Sequence, residues 1–399
     1  MKIQLFLLRF FFLILISSVF VSCRSGGPKT SKSGNYDTAT NKEPLFVFVG
    51  TYTQGQKDSV EKSKGIYVYE MNPNTGELSF VSNSPQTVNP SYLVIHPSKK
   101  WLYAVNEVGG ENENGYISAF SITDEKQLQF INSVSSQGTF PCYISVDHTG
   151  KFAMTANYGN GTVALYPIRP DGSLAKATSV HQHTRKVAGK PEVQPHAHMI
   201  VQRPGEEYVY STDLGTDMVF VYKIDTVLNQ FQPAKENIPT QNGSGPRHIE
   251  FHPGLPCAYV VNELNGTIEA FSIAPKSGVW KRFQTISTLP ANEKRPASCA
   301  DIHVTPSGKY LYASNRGEIN NLAIFEINQQ SGELKNIGFQ SCGGSAPRSF
   351  VIDPRGIFLL VANQNSNNIV TYKIDKASGK LSEAGKSVSL PAPVCLKFL

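Results

Sequence analysis

From Leu45 to the end of the chain, short runs of aliphatic, aromatic and β-branched residues alternate apolar with polar positions. They are broken at even spacing by Gly, Pro, Asn and Asp. No stretch after residue 44 carries the period of an amphipathic helix, so the pattern predicts short strands joined by tight turns. The pattern also repeats. One unit reads "GPRHIEFHPGLPCAYVVNELNGTIEAFSIAPKSGVW" from Gly245 and another "APRSFVIDPRGIFLLVANQNSNNIVTYKIDKASGKL" from Ala346. Each gives Pro, strand, turn, strand ending in Asn, turn, strand, then Gly.

Related units begin at Asn89 ("NPSYLVIHPSKKWLYAVNE"), Phe140 ("FPCYISVDHTGKFAMTANY"), His196 ("HAHMIVQRPGEEYVYSTDL") and Ala300 ("ADIHVTPSGKYLYASNRG"), making six. A seventh, "LFVFVGTY" from Leu45 with "GIYVYEMNPNTGEL", lacks the opening Pro-strand, and the missing piece stands at the other terminus as "APVCLKFL" from Ala392. A period of this length with four strands per unit predicts an all-β, seven-bladed β-propeller. The C-terminal strand is expected to complete the N-terminal blade, closing the ring and removing an exposed edge.

The first 22 residues, "MKIQLFLLRFFFLILISSVFVS", are apolar around Lys2 and Arg9 and read as an export signal. The segment "VFVSC" resembles a lipobox, so the mature chain is expected to begin at a lipidated Cys23 in a bacterial cell envelope. Residues 23–43, polar and rich in Gly, Ser and Lys, read as a flexible tether, leaving residues 44–399 as the propeller. The formal net charge of +6 is spread thinly, with no basic run of the kind that binds nucleic acid. The remaining cysteines, Cys142, Cys257, Cys299, Cys342 and Cys395, are odd in number and never paired as C-x-x-C. They indicate neither a disulfide framework nor a zinc site. Membrane contact is expected only through the lipid anchor, and no oligomeric state is assigned.

In a propeller the first strand of each blade lines the axis and the second runs back beside it. The start of strand one and the end of strand two therefore share a face. The first set is Ser91, Cys142, His198, Arg247, Ala300 and Arg348; the second is Tyr52, Glu107, Tyr158, Asp213, Glu263, Arg316 and Gln364. Asn106, Asn157, Asn262, Asn315 and Asn363 recur just before the second set and are read as turn-capping amides. The variable positions beside them concentrate His196, His198, Asp213, Arg247, His248, Glu263 and Arg316 in blades four to six. Strand alternation places His196 with His198 on one side and turns His248 the opposite way, into blade packing. The pair in "PHAH" could supply two imidazoles to a metal, with Asp213 as a third ligand, but the spacing dictates no such set and direct acid/base use is favoured.

At "PCYISVDHTGKFAMTANYGNGTVALYP", "PHAH", "DLGTDMVFVY", "GSGPRHIEFHP", "VVNEL", "SNRG" and "PRSFVIDPRGIFLLVANQ", the chain resembles the seven-bladed propeller lactonase family. That family includes propeller-type 6-phosphogluconolactonase and the carboxymuconate-lactonising enzyme. The resemblance implies a metal-free and cofactor-free site of His198, Arg247, Glu263 and Arg316. His196, Asp213, Arg348 and Glu107 are expected to help bind the substrate. The implied partner is a small sugar lactone, opened with water by Glu263 or His198 as base, while arginines hold the anion and the developing oxyanion. Two other readings use the same residues: a carboxymuconate-type cycloisomerase, and a non-catalytic, envelope-tethered propeller that binds a glycan or protein. The export signal sets the chain apart from cytoplasmic sugar-phosphate enzymes.

Overall fold

A computed structural model describes residues 44–54, 62–110, 113–185, 193–274 and 278–399. The signal, Cys23 and the tether lie outside the described residues. Every regular element described is a β-strand, and the strands form seven antiparallel sheets arranged in chain order. Six blades are each a consecutive run, blade 4 carrying the additional short strand Ile238–Pro239. Blade 1 is composite: the C-terminal strand Pro393–Phe398 pairs antiparallel with Leu45–Thr51, in front of Tyr67–Met71 and Leu78–Asn83. The ring thus closes through backbone hydrogen bonds between its two ends.

Burial follows the strand position within a blade. Second strands are almost wholly enclosed, as in Phe152–Asn157, Cys257–Asn262 and Phe358–Asn363, where all six residues are buried. Outer strands such as Leu128–Ser135 and Trp280–Ser287 alternate toward solvent. Adjacent blades are latched by tyrosine hydroxyls of the second strands. Tyr103, Tyr259 and Tyr312 donate to the carbonyl oxygens of Gly172, Gly332 and Gly379 in the following blade, at 3.0, 2.8 and 2.8 Å. Gly379 adopts φ +69°, and a Cβ there would stand 2.4 Å from the Tyr310 ring. Only glycine fits both requirements.

The inner strands depart from regular pairing where they begin. Register breaks fall at Pro90/Tyr92, Pro141/Tyr143, Ala197/Met199, Pro246/His248 and Pro347/Ser349. Proline cannot donate to the ladder, and the residue before it has positive φ at Asn89, Phe140, Gly245, Ala346 and Ala392. The resulting bulge, present at Ala197 without the proline, leaves Ser91, Cys142, His198, Arg247 and Arg348 outside the ladder, aimed at the mouth of the axis.

The recurrent asparagines bond across their own turns at Asn157, Asn262 and Asn315, whose Nδ2 donates to Thr162 Oγ1, Thr267 Oγ1 and Asn321 Oδ1, and most of them also reach the neighbouring blade. Asn106, Asn157, Asn315 and Asn363 donate from Nδ2 to the carbonyls of Val88, Ser136, Thr288 and Cys342, at 2.6–2.9 Å. All four acceptors lie on the segment arriving from the preceding blade, so these amides tie each blade to the next. Asn262 differs in donating to Glu269 Oε1 where the others donate to a carbonyl of the arriving segment.

Candidate active site

The mouth of the axis, where inner strands start and second strands end, collects most of the charged residues singled out above. Glu263 follows the second strand of blade 5, and its backbone N–H donates to Gly245 at 2.8 Å, which fixes the direction of its side chain. Its carboxylate is bracketed: Oε2 lies 2.8 Å from Arg247 Nε, and Oε1 lies 3.0 Å from Arg316 Nη2. The Arg247 contact is an ion pair lying off the N–H direction. Nη1 of Arg247 donates to the carbonyl of Ala300 and approaches His248 Nε2 at 3.5 Å. Arg316 also donates from Nε to Ser298 O and from Nη2 to Cys299 O. Among the described residues, Arg247 Nη2 and Arg316 Nη1 have no protein acceptor, so each guanidinium keeps a donor for a ligand.

Burial pushes the Glu263 carboxyl up, but Arg247, Arg316 and Arg348 outweigh it and hold the group below the usual carboxylate range. Burial, then Arg247, lowers Arg316, which remains a cation near neutral pH. His198 is 5% exposed, and its Nδ1 is buried without a hydrogen-bond partner. Burial first, then Arg247, His248, Arg348 and Arg316, push His198 well below the ordinary histidine value. It is therefore a neutral imidazole near neutral pH.

A second charged group faces this one. Glu107 Oε2 accepts from Tyr52 Oη at 2.8 Å, and Arg348 Nη2 lies 3.6 Å from the same oxygen, with its guanidinium 5.3 Å from the centre of the Tyr52 ring. Among the described residues Arg348 makes no hydrogen bond. Three guanidiniums thus face two carboxylates, leaving one formal positive charge in excess.

His196 sits at the rim, stacked on Tyr158 with centroids 4.5 Å apart and Nδ1 paired with Tyr158 O at 2.8 Å. Its Nδ1 is thus engaged by a backbone carbonyl, and Tyr158 lies against both histidines, with its ring centre 5.8 Å from that of His198.

Two expectations are corrected. Asp213 is not a substrate-facing residue: it is fully buried, accepts from the backbone N–H of His196 and Thr216, and pairs with His183 Nδ1 at 2.8 Å. It pairs with Ala197 as Asn262 pairs with Pro246, so it occupies the structural asparagine position, and Leu214 takes the place equivalent to Glu263. "STDL" has no asparagine to mark the phase, and the alignment therefore slips by one residue. His248 does not point into blade packing. The bulge at Arg247 cancels the alternation, and the His248 ring reaches the axis, 5.2 Å from His198 and 5.4 Å from Tyr143 across the channel.

Beneath the mouth, a layer that sequence reasoning missed plugs the axis: Tyr92 stacked on Tyr143 at 4.1 Å, His248, and Asp301. Below it stand Glu250, His303 and Lys397. The signal was present as Pro followed by consecutive polar residues, as in "PRHIE", but only the bulge makes neighbours share a face.

Fold and site together define a propeller with an arginine-lined, carboxylate-bearing axial mouth. Residues 46–398 match the family model described as "Lactonase, 7-bladed beta-propeller", and the chain belongs to that family. It is 35% identical over 360 residues to a 6-phosphogluconolactonase of Bacillus subtilis, covering 88% of this chain and 97% of the relative. Among solved structures, a putative 6-phosphogluconolactonase of Bacteroides fragilis superposes with TM-score 0.81 at 35% identity, covering 91% of this chain and 99% of the other. The periplasmic gluconolactonase of Pseudomonas aeruginosa does so with TM-score 0.81 at 32% identity, covering 90% and 99%.

Proposed function

We propose that the protein hydrolyses a sugar lactone at the axial mouth, with Glu263 as base and Arg247 and Arg316 as oxyanion donors. The observation that carries this reading is the bracketing of one half-buried carboxylate by two guanidiniums that, among the described residues, each retain an unpartnered donor. In the free protein the ion pairs make Glu263 a weak base. When a lactone carbonyl oxygen takes up the open donors, the arginines share their charge with it, and Glu263 becomes more basic as the reaction requires. Water, oriented by Glu263 and by the neutral His198, adds to the carbonyl carbon and gives its proton to the carboxylate. The tetrahedral oxyanion rests between the guanidiniums. The ring C–O bond then breaks, and the ring oxygen takes the proton back to become the hydroxyl of an open-chain hydroxy acid.

Arg348, which makes no hydrogen bond among the described residues, suits an anionic or hydroxyl-rich far end of the substrate. The names of the relatives support both a phosphorylated and an unphosphorylated gluconolactone as candidates, and the expected export signal favours the unphosphorylated one. Purified residues 44–399 assayed by acid release on glucono-δ-lactone and its 6-phosphate test the reading. Opening well above the buffer rate on at least one supports it; the buffer rate on both overturns it.

A further inference from the structure

Arg247 is the largest of the fully buried side chains, and it is held from below by a pair of residues with no part in the chemistry proposed above. Asp301 begins that support. Its Oδ1 accepts from His248 Nδ1 at 2.8 Å and from Ile302 N at 3.1 Å. Its Oδ2 accepts from Phe350 N at 3.2 Å and faces His303 Nε2 at 3.5 Å. A carboxylate receiving two backbone N–H groups and two imidazoles stays ionised and can only accept. His248 Nδ1 must therefore carry the proton, which leaves Nε2 as a lone pair directed at Arg247 Nη1. The bulge between Pro246 and His248 makes this possible by bringing two consecutive residues to the axis.

We propose that Asp301 and His248 act as positioning residues: Asp301 fixes the tautomer of His248, and His248, together with the carbonyl of Ala300, holds the Arg247 guanidinium so that Nη2 faces the substrate. This rests on the reading of Arg247 as an oxyanion donor. The arrangement parallels the outer groups that orient a metal-bound or catalytic histidine, here applied to a guanidinium.

Two isosteric replacements separate positioning from mere packing. His248→Gln keeps an acceptor near the place of Nε2 and loses the bond to Asp301; His248→Asn keeps a donor near Nδ1 and loses the acceptor. Kinetics on the best lactone, with Tm measured for each variant, should show kcat lowered about 10- to 100-fold in His248→Asn, with KM changed by less than about threefold, and substantial recovery in His248→Gln. Equal losses in both, or no loss in His248→Asn, would overturn the proposal. Arg247→Met locates a failure: if it keeps full activity, the oxyanion reading is wrong, whereas if it is inactive while His248→Asn is normal, only the positioning is wrong. Nitrogen NMR of the unmodified protein needs neither folded variants nor activity. A His248 protonated at Nδ1 and bare at Nε2 is expected, and the opposite tautomer would contradict the proposal.

Discussion

Arg247 Nε lies 2.8 Å from Glu263 Oε2, joining the first strand of blade 5 to the residue that follows its second strand. The pair is nearly dry on the arginine side and half open on the carboxylate side, with side-chain exposures of 2% and 21%. A charge that cannot leave thus faces one that a ligand can reach. A buried ion pair of this kind is poor evidence for stability but apt for a site that exchanges partners during a reaction.

The charge balance around Glu263 gives a pH prediction. The deprotonated carboxylate is the active form, and its pKa is held below the usual value by Arg247, Arg316 and Arg348 against the effect of burial. With glucono-δ-lactone, which carries no titrating group of its own, kcat/KM should stay level through the neutral range and fall only as pH drops through that depressed value. Arg316→Met removes one cation, so the fall should move to higher pH. A fall that stays in place or moves lower would contradict the assignment of Glu263 as base.

Arg348 should separate binding from chemistry. Arg348→Met is expected to raise KM for an anionic lactone by about tenfold or more, while changing kcat by less than about threefold. An uncharged lactone should respond less. Steady-state kinetics on the glucono-δ-lactone pair, with and without the 6-phosphate, would show the difference.

His303 predicts how stability depends on alkali. Burial lowers its pKa, but Asp301 and Glu250 outweigh this and raise it from 6.5 to about 10. Since the folded form binds the proton more tightly, the stabilisation is fully present below 6.5 and is lost as pH rises through about 10. Urea midpoints across that range should decline in the unmodified protein. The decline should be shallower in His303→Gln.

The blade latches can be tested by stability alone. Tyr312→Phe removes the hydroxyl that donates to Gly379 O and should destabilise by about 1–2 kcal/mol. Gly379→Ala should be at least as costly, since it meets both a positive φ and the Tyr310 ring. Urea unfolding of both variants, with lactone turnover unchanged, is the expected result.

The seven-blade ring and its closure by Pro393–Phe398 were legible in the sequence, because each unit repeats the same alternation and the chain ends supply complementary parts of one unit. The placing of Arg247, Glu263 and Arg316 around one mouth followed from the same phase. His248 and Asp213 were misplaced for local reasons. Strict alternation does not survive a bulge, so Arg247 and His248 share the axis. Asp213 holds the asparagine position as an acceptor, tied to His183 of the arriving segment, and a list of titratable residues reads it as a candidate for chemistry. The plug of Tyr92, Tyr143, His248 and Asp301 was hidden because its members come from four blades and only the ring brings them together.

The measurement that bears most directly on the central claim is turnover of the best lactone by Glu263→Gln, which keeps the shape of the side chain and removes its charge. With an unchanged unfolding midpoint, kcat should fall by about a hundredfold or more. A kcat within about threefold of the unmodified protein would show that Glu263 is an ion-pair partner and not the base.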